Sequence, residues 1–459
     1  MILILCLKQS RVDKMQLSNK KFFTSFLLIL TTLLAFSTPA RAVLTIHITE
    51  GVEGTQPIAV VPFATDQLKT ALPYDLVSII NNDLARSGRF SPMPEKDLIA
   101  RPHDGGTVRF ADWRLVNMDY LLVGRVRQLG DVNYEVQFQL FDVFKGEQIT
   151  GISYPFVAGD TRRMAHRISD IVYEKLTGQR GAFNTRIAYV TALTSATGKR
   201  QYRLNIADSD GFNEQTILDS SKPLMSPSWS PDGQQLAYVS FEAKRPQIFV
   251  QQVFNGQRQR LTDFKGLNSA PVWSPDGKHL AMTLSKSGNP ELYLFELATK
   301  KLTQLTKHPA IDTEPTWSPD GSKLVFTSDR GGKPQLYIME LSRNKPVSRP
   351  RRLTFEGEYN ARGAFSPDGK YLAMVTGNRG RFQIAVLEMA NKTLQVLTDS
   401  RLDESPSFAP NGSMIIYATN RNNRGVLAAV SVDGRVHQRI EVQQGDVREP
   451  AWSPLTDAQ

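Results

Sequence analysis

A five-residue motif, Trp-Ser-Pro-Asp-Gly, starts at Trp229, Trp273 and Trp317, recurs as Phe365-Ser-Pro-Asp-Gly and Phe408-Ala-Pro-Asn-Gly, and is cut short as Trp452-Ser-Pro. Its prolines, Pro231, Pro275, Pro319, Pro367, Pro410 and Pro454, lie 44, 44, 48, 43 and 44 residues apart. That period fits four short strands per unit, the spacing of a propeller blade. The motifs lead into β-rich segments: Leu236-Ala-Tyr-Val, Leu280-Ala-Met-Thr, Leu324-Val-Phe-Thr, Leu372-Ala-Met-Val and Ile415-Ile-Tyr-Ala. A sixth segment, Ile187-Ala-Tyr-Val190, has no motif before it, and the motif at Trp452 has no segment after it. A linear solenoid would need polar caps, whereas a ring leaves no edge unpaired. The two incomplete ends therefore predict an all-β, six-bladed propeller over 184–459, closed by strand exchange between the Trp452 and Ile187 segments.

The motif residues have local work to do. Pro fixes φ at the second position of a type I turn, Asp accepts a bond from nearby backbone, and Gly accepts positive φ. The turn joins the innermost strand of a blade to the next, and the preceding Trp or Phe wedges between blades. Asp232, Asp276, Asp320 and Asp368 are thus expected to be structural, since one outer-turn carboxylate per blade cannot converge on a single ion.

Ahead of the repeats the pattern is mixed. Ile58-Ala-Val-Val-Pro-Phe63 predicts a strand, and Leu76, Ile79, Ile80 and Leu84 follow at helical spacing. Tyr120–Val126 and the alternating Tyr134–Val143 predict a hairpin turning at Gly130-Asp131. Met164, Ile168, Ile171, Val172 and Leu176 mark a second helix, capped near Asp160 or Thr161 and stopped at Gly178. A small α/β domain over 55–181 is expected. Further upstream, Lys20-Lys21, the apolar run Phe22–Phe36 and Ala40-Arg41-Ala42 predict a secretory signal peptide over 1–42, cleaved after Ala42, with Met15 an alternative start.

Removing that leader changes the charge argument. Of 55 basic and 45 acidic residues, six basic and one acidic precede Val43, so the formal charge of +10 falls to +5 and a nucleic-acid partner is not expected. Cys6 is the single cysteine and leaves with the leader, so the exported chain must be held by packing in an oxidising compartment. No lipid-attachment run precedes the cleavage point, and a soluble monomer is expected.

No nucleophile elbow or phosphate-binding loop is present; Gly151-Ile-Ser-Tyr-Pro155 lacks the second Gly. His47, His103, His166, His279, His308 and His437 show no metal spacing. Neither a catalytic nor a metal site, nor a cofactor, is expected. Arg349-Pro-Arg-Arg352 reads as a solvated loop. Function then resides in surfaces. The segments leading into the inner strands, Leu267-Asn-Ser-Ala-Pro271, Ile311-Asp-Thr-Glu-Pro315, Tyr359-Asn-Ala-Arg362, Asp403-Glu-Ser-Pro406 and Val447-Arg-Glu-Pro450, share the face opposite the motif turns. Asp312, Glu314, Asp403, Glu404 and Glu449 are expected to crowd its mouth, as a cation site, as partners for a docking protein, or as solvated charges.

An exported chain, a small α/β domain with Pro57-Ile-Ala-Val-Val-Pro-Phe63, and six repeats bearing Trp-Ser-Pro-Asp-Gly closely resemble the TolB family, the periplasmic propellers of the Tol-Pal system. The resemblance spans essentially the whole exported chain. It implies a non-enzymatic adaptor in the periplasm that maintains outer-membrane integrity and aids constriction at division, peripheral to the membrane through its partners, the Pal lipoprotein and TolA. It also implies that Pal docks on the face just described, carried here by Asn268, Ala270, Thr313, Glu314, Asn360, Arg362 and Glu404. TolA is expected to bind a mobile N-terminal strand over 43–54, carried by Val43, Leu44, Thr45, Ile46, His47 and Ile48. Its alternation of Leu44, Ile46 and Ile48 with Thr45, His47 and Thr49 suits addition to a sheet edge. Without a partner it is expected to pack on its own first domain, and Pal occupancy to shift that balance. The rival readings are a propeller-bearing periplasmic hydrolase, for which the roughly 130 residues ahead of the repeats are too few, and a small-ligand-binding propeller, for which the mouth offers acids and amides rather than aromatics.

Overall fold

The computed structural model describes residues 47–48, 54–65, 68–195, 197–440 and 445–455. The expected signal peptide, Cys6 and Val43, Leu44, Thr45 and Ile46 of the expected TolA-binding strand lie outside these residues.

The first domain is one mixed sheet with helices on both faces. Strand β1 (His47–Ile48) stands apart from it, whereas β2 (Gln56–Val60) is flanked in parallel by β3 (Phe90–Pro92) and β4 (Tyr120–Gln128). Strands β5 (Asn133–Asp142) and β6 (Glu147–Val157) follow antiparallel, giving the order β3-β2-β4-β5-β6. The run Ile58–Val61 is buried throughout because both faces of β2 are covered. Ile58 and Val60 pack under helices α1 (Leu76–Arg86) and α3 (Thr161–Thr177), while Ala59 and Val61 face Trp113 of α2 (Phe110–Leu115). Asp75 caps α1 by accepting from the Val77 amide at 3.0 Å, and Gly178, at φ +73°, ends α3 in the left-handed conformation open to glycine.

Six sheets follow. Blade one takes its inner strand from the C-terminus: Asp446–Trp452 lies antiparallel to Arg186–Thr194, with Trp452 opposite Ile187, and this pairing closes the ring. Blades two to six begin with inner strands Leu224–Trp229, Asn268–Trp273, Asp312–Trp317, Tyr359–Phe365 and Asp403–Phe408. At each Ser-Pro-Asp-Gly turn the Asp is occupied locally. Ser230 Oγ donates to Asp232 Oδ1 at 2.5 Å, the Gln234 amide donates to the same oxygen at 3.0 Å, and the Gln235 amide closes the turn onto Ser230 Oγ at 2.9 Å. Ser274/Asp276, Ser318/Asp320 and Ser366/Asp368 repeat the arrangement. The aromatics do wedge between blades: Trp229 Nε1 donates to Ala451 O at 3.1 Å and Trp273 Nε1 to Ser228 O at 3.2 Å. The 48-residue interval comes from an additional hairpin in blade four, Gln335–Ser342 against Lys345–Pro346, ahead of Arg351–Arg352. The basic run expected as a solvated loop thus ends in a strand paired to the blade.

Strand β1 corrects a second expectation. It adds to the outer edge of blade six, His47 opposite Arg439 and Ile48 opposite Gln438, and not to the first-domain sheet. That outer strand, His437–Ile440, has one neighbour within the blade and so offers free backbone groups to a further strand.

The two domains meet through buried charge. Arg162 of α3 reaches the turn of blade one, donating from Nε to Asp208 Oδ2 at 3.2 Å and from Nη2 to Asp210 Oδ2 at 2.5 Å. Beside it His166 Nδ1 meets Asp83 Oδ2 at 2.7 Å, Arg86 Nε donates to Asp83 Oδ1 at 3.0 Å, and Arg86 Nη2 donates to Ser209 Oγ at 2.9 Å.

Candidate docking site

The segments expected to lead into the inner strands belong to the inner strands themselves, and each inner strand carries a β-bulge two residues after a common starting position. The bulged residues, Ser226, Ala270, Glu314, Arg362, Ser405 and Glu449, all have left-handed φ, between +47° and +57°. Such a conformation costs a non-glycine residue about 1–3 kcal/mol, and it persists where the surroundings over-determine it. The next residue is Pro227, Pro271, Pro315, Pro406 or Pro450, with Gly363 in blade five. Proline has no amide to lose from the ladder, so in these five blades the break in register costs no donor at that position. The six bulges ring the central channel, a space of about 600 Å³.

The seven residues expected to bind Pal fall into three structural positions. Asn268 and Asn360 occupy the starting position and are fully buried braces. Asn268 Nδ2 donates to Phe264 O at 2.8 Å, and Asn360 Nδ2 donates to Gln335 Oε1 at 2.9 Å. Asp312 and Asp403 hold the same position in their blades, so they do not crowd the mouth as expected. Arg330 Nη2 donates to Asp312 Oδ1 at 2.7 Å, and Thr398 Oγ1 donates to Asp403 Oδ2 at 2.5 Å. Thr313 and Glu404 come next and are half-buried, and Ala270, Glu314 and Arg362 are bulge residues. Only the last two positions open onto the face.

Arg362 ties the mouth together. Its Nε donates to Glu314 Oε1 at 2.9 Å, its Nη2 to Glu449 Oε1 at 3.3 Å, and its Nη1 to Ser405 Oγ. Glu449 Oε2 accepts the Ser226 amide at 2.6 Å, so one chain of bonds joins bulges from five blades. Burial works against the Arg362 charge, but Glu449, Glu314 and Glu404 outweigh it and hold the guanidinium above its ordinary pKa. Burial pushes Glu404 up, against the pull of Arg362 and with the help of Glu449. Glu314, Glu404 and Glu449 thus face Arg362, with the pair of Arg448 and Asp446 beside them, and carboxylates outnumber guanidinium groups at the mouth.

Among the described residues, one cluster has the geometry to hold a metal ion. His166, Asp208 and Asp210 bring ligand atoms within 4.8 Å of one another. The Arg162 guanidinium already bonds both carboxylates, so the cluster is an ion-pair network whose cation is part of the chain. Sequence spacing could not signal it, because its members lie on α1, on α3 and in blade one.

Comparison with known proteins agrees with this architecture. Residues 173–456 match the TolB beta propeller domain and residues 44–149 the TolB amino-terminal domain. The Tol-Pal system protein TolB of Nitrosococcus oceani is 57% identical, over 93% of this chain and 97% of that protein. That of Thioalkalivibrio sulfidiphilus is 56% identical, over 91% and 95%. The crystal structure of TolB from Acinetobacter baumannii superposes with a TM-score of 0.82 at 41% identity, covering 90% of this chain and all of that one. No helix among the described residues is long and apolar enough to cross a membrane. With a closed six-bladed ring, an α/β amino-terminal domain and relatives of this identity, the chain belongs to the TolB family, the propeller components of the periplasmic Tol-Pal system.

Proposed function

We propose that the chain is a non-enzymatic adaptor that links the Pal lipoprotein to TolA, and thereby supports outer-membrane integrity and envelope constriction. The observation that carries this reading is the bonded ring of bulge residues around Arg362, a preformed acidic surface with its donors and acceptors already oriented. Pal would dock there on Thr313, Glu314, Ala270, Arg362 and Glu404, with Asn268 and Asn360 holding the strands in place from beneath. TolA would take the strand over 43–54. The pairing of β1 with the edge of blade six supports this role, since His47–Ile48 already form an added strand that could exchange one edge for another. Export would precede both, with cleavage after Ala42.

Glu314→Lys places a wrong-sign charge in the mouth and releases Arg362, so Pal affinity should fall at least about tenfold, measured by calorimetry on the exported chain. Glu314→Gln, which keeps the side-chain shape, should fall less. Unchanged affinity in both removes this face. Deleting residues 43–54 should abolish TolA capture and leave the Pal face competent; retained capture would remove the strand assignment.

A further inference from the structure

Between blades four and five the chain departs from its own repeat twice. The motif tryptophan is replaced by Phe365, and the additional hairpin of blade four brings in Arg351–Arg352. Both changes meet at one cavity of about 590 Å³, within the range of small-molecule sites. Its floor is apolar: Ile338, Leu353 and Leu387 are buried, and Phe365, Met389 and Leu394 complete it. Trp229, Trp273 and Trp317 are 8%, 7% and 6% exposed, whereas Phe365 is only partly buried. The smaller ring neither fills the space nor supplies the indole donor that Trp229 and Trp273 give to the neighbouring blade.

The lining carries four cations, Lys323, Arg351, Arg352 and Lys392, against three carboxylates, Asp320, Glu356 and Asp368. Lys392 Nζ donates to Met389 O at 2.5 Å, while Asp368 in the same lining is paired with Lys370 at 3.5 Å. Burial and the like charges of Arg351 and Lys323 hold its pKa below the ordinary lysine value. The acids of the lining do not answer these cations in full. Asp320 and Asp368 are engaged by Ser318 and Ser366 and by amides of their own turns, and Arg351 meets Glu340, outside the cavity, only at 3.9 Å on exposed surface. Glu356 is the one further carboxylate in the lining.

We propose that this cavity binds a small amphipathic anion, a carboxylate or phosphate head on a single apolar chain. The head sits among Lys323, Arg351 and Lys392, and the chain lies along Ile338, Leu353 and Leu387 against Phe365. The site is separate from the channel mouth and does not depend on the Pal and TolA assignments. The test is calorimetric titration of the exported chain with laurate and with lauroyl lysophosphatidylglycerol below their critical micelle concentrations, with inorganic phosphate and dodecyl maltoside as head-only and neutral controls. One equivalent of an anionic amphiphile is expected to bind, at least tenfold more tightly than either control. Tighter laurate assigns the carboxylate head, and tighter lysophospholipid the phosphate. Lys392→Gln and Arg351→Gln should each weaken binding several-fold, and Phe365→Trp, which restores the motif residue and fills the floor, should abolish it. Absence of saturable binding, equal binding of dodecyl maltoside, or affinity undiminished in Lys392→Gln overturns the proposal. Lys392→Gln is a surface change, so it carries the test even if Phe365→Trp does not fold.

Discussion

A chain ending at Gly445 is expected to lose cooperative folding of the propeller. The missing segment contains the seven-residue inner strand of blade one, and without it Ile187, Ala188 and Val190 lose the partners opposite them. Val447 and Trp452 are both at least nine-tenths buried. The Trp452 indole donates to Thr185 Oγ1 at 2.8 Å, and its amide donates to Ser407 Oγ at 2.9 Å, so this one residue joins blade one to blade six. Replacing a buried tryptophan with alanine costs about 3–5 kcal/mol, against a total stability on the order of 5–15 kcal/mol for a folded domain. Trp452→Ala should therefore still fold but melt roughly 6–20 °C lower, at about 2–4 °C per kcal/mol. The truncation leaves Arg186–Thr194 as an open edge strand bearing Ile187, Ala188 and Val190, an aggregation template. Thermal unfolding followed by circular dichroism on a chain beginning at Val43 checks both. A truncated chain that melts within a few degrees of the intact one would show that the ring does not depend on its closure.

The closure was legible because the sequence shows a repeat broken at both ends: Ile187-Ala-Tyr-Val190 lacks a motif and Trp452-Ser-Pro lacks a segment. Turn chemistry was legible for a similar reason, since Ser, Pro, Asp and Gly each serve their own hairpin and need no distant partner. The bulges were not. Ser, Ala, Glu, Arg, Ser and Glu share no preference for left-handed φ, and the conformation goes with the bulge at each of these positions, which no residue type announces. A proline two residues before most of the motif aromatics was the available signal. Asp312 and Glu314 look alike on paper as acids before Trp317 and, two positions apart, would share one face of a regular strand; the bulge at Glu314 breaks that alternation, so the first lies buried in the blade and the second reaches the mouth. The seat of β1 was misread because alternation in a strand says that it can add to an edge, without saying which edge is open.

Arg162→Met is expected to uncouple the two domains. The Arg162 side chain is 6% exposed and its guanidinium lies 4.0 Å from the centre of the Phe212 ring while bonding Asp208 and Asp210. Removing one partner of a buried ionic network strands the remaining charges, at about 3–5 kcal/mol. The strain falls on the junction, so calorimetry should resolve two unfolding transitions where the intact chain gives one, and proteolysis should open the segment around Gly181. Protonation feeds the same junction. Burial lowers the His166 pKa, but Asp83, Asp210 and Asp208 overcome this and raise it above the ordinary 6.5. His166 therefore contributes stability that is fully present below about pH 6.5 and lost as pH rises through its folded-state value. Burial pushes Asp170 from the ordinary 3.8 up to about 6 despite the amides of Phe183 and Asn184 that donate to it, so it too favours the folded state most in acid and loses that contribution between about pH 4 and 6. Melting temperature should thus decline as pH rises from 5 to 9, and His166→Gln, which keeps a donor toward Asp83 but cannot ionise, should flatten the limb above pH 6.5. A single transition in Arg162→Met, at the melting temperature of the intact chain, would show that packing alone joins the domains. An unaltered slope in His166→Gln would place the proton elsewhere.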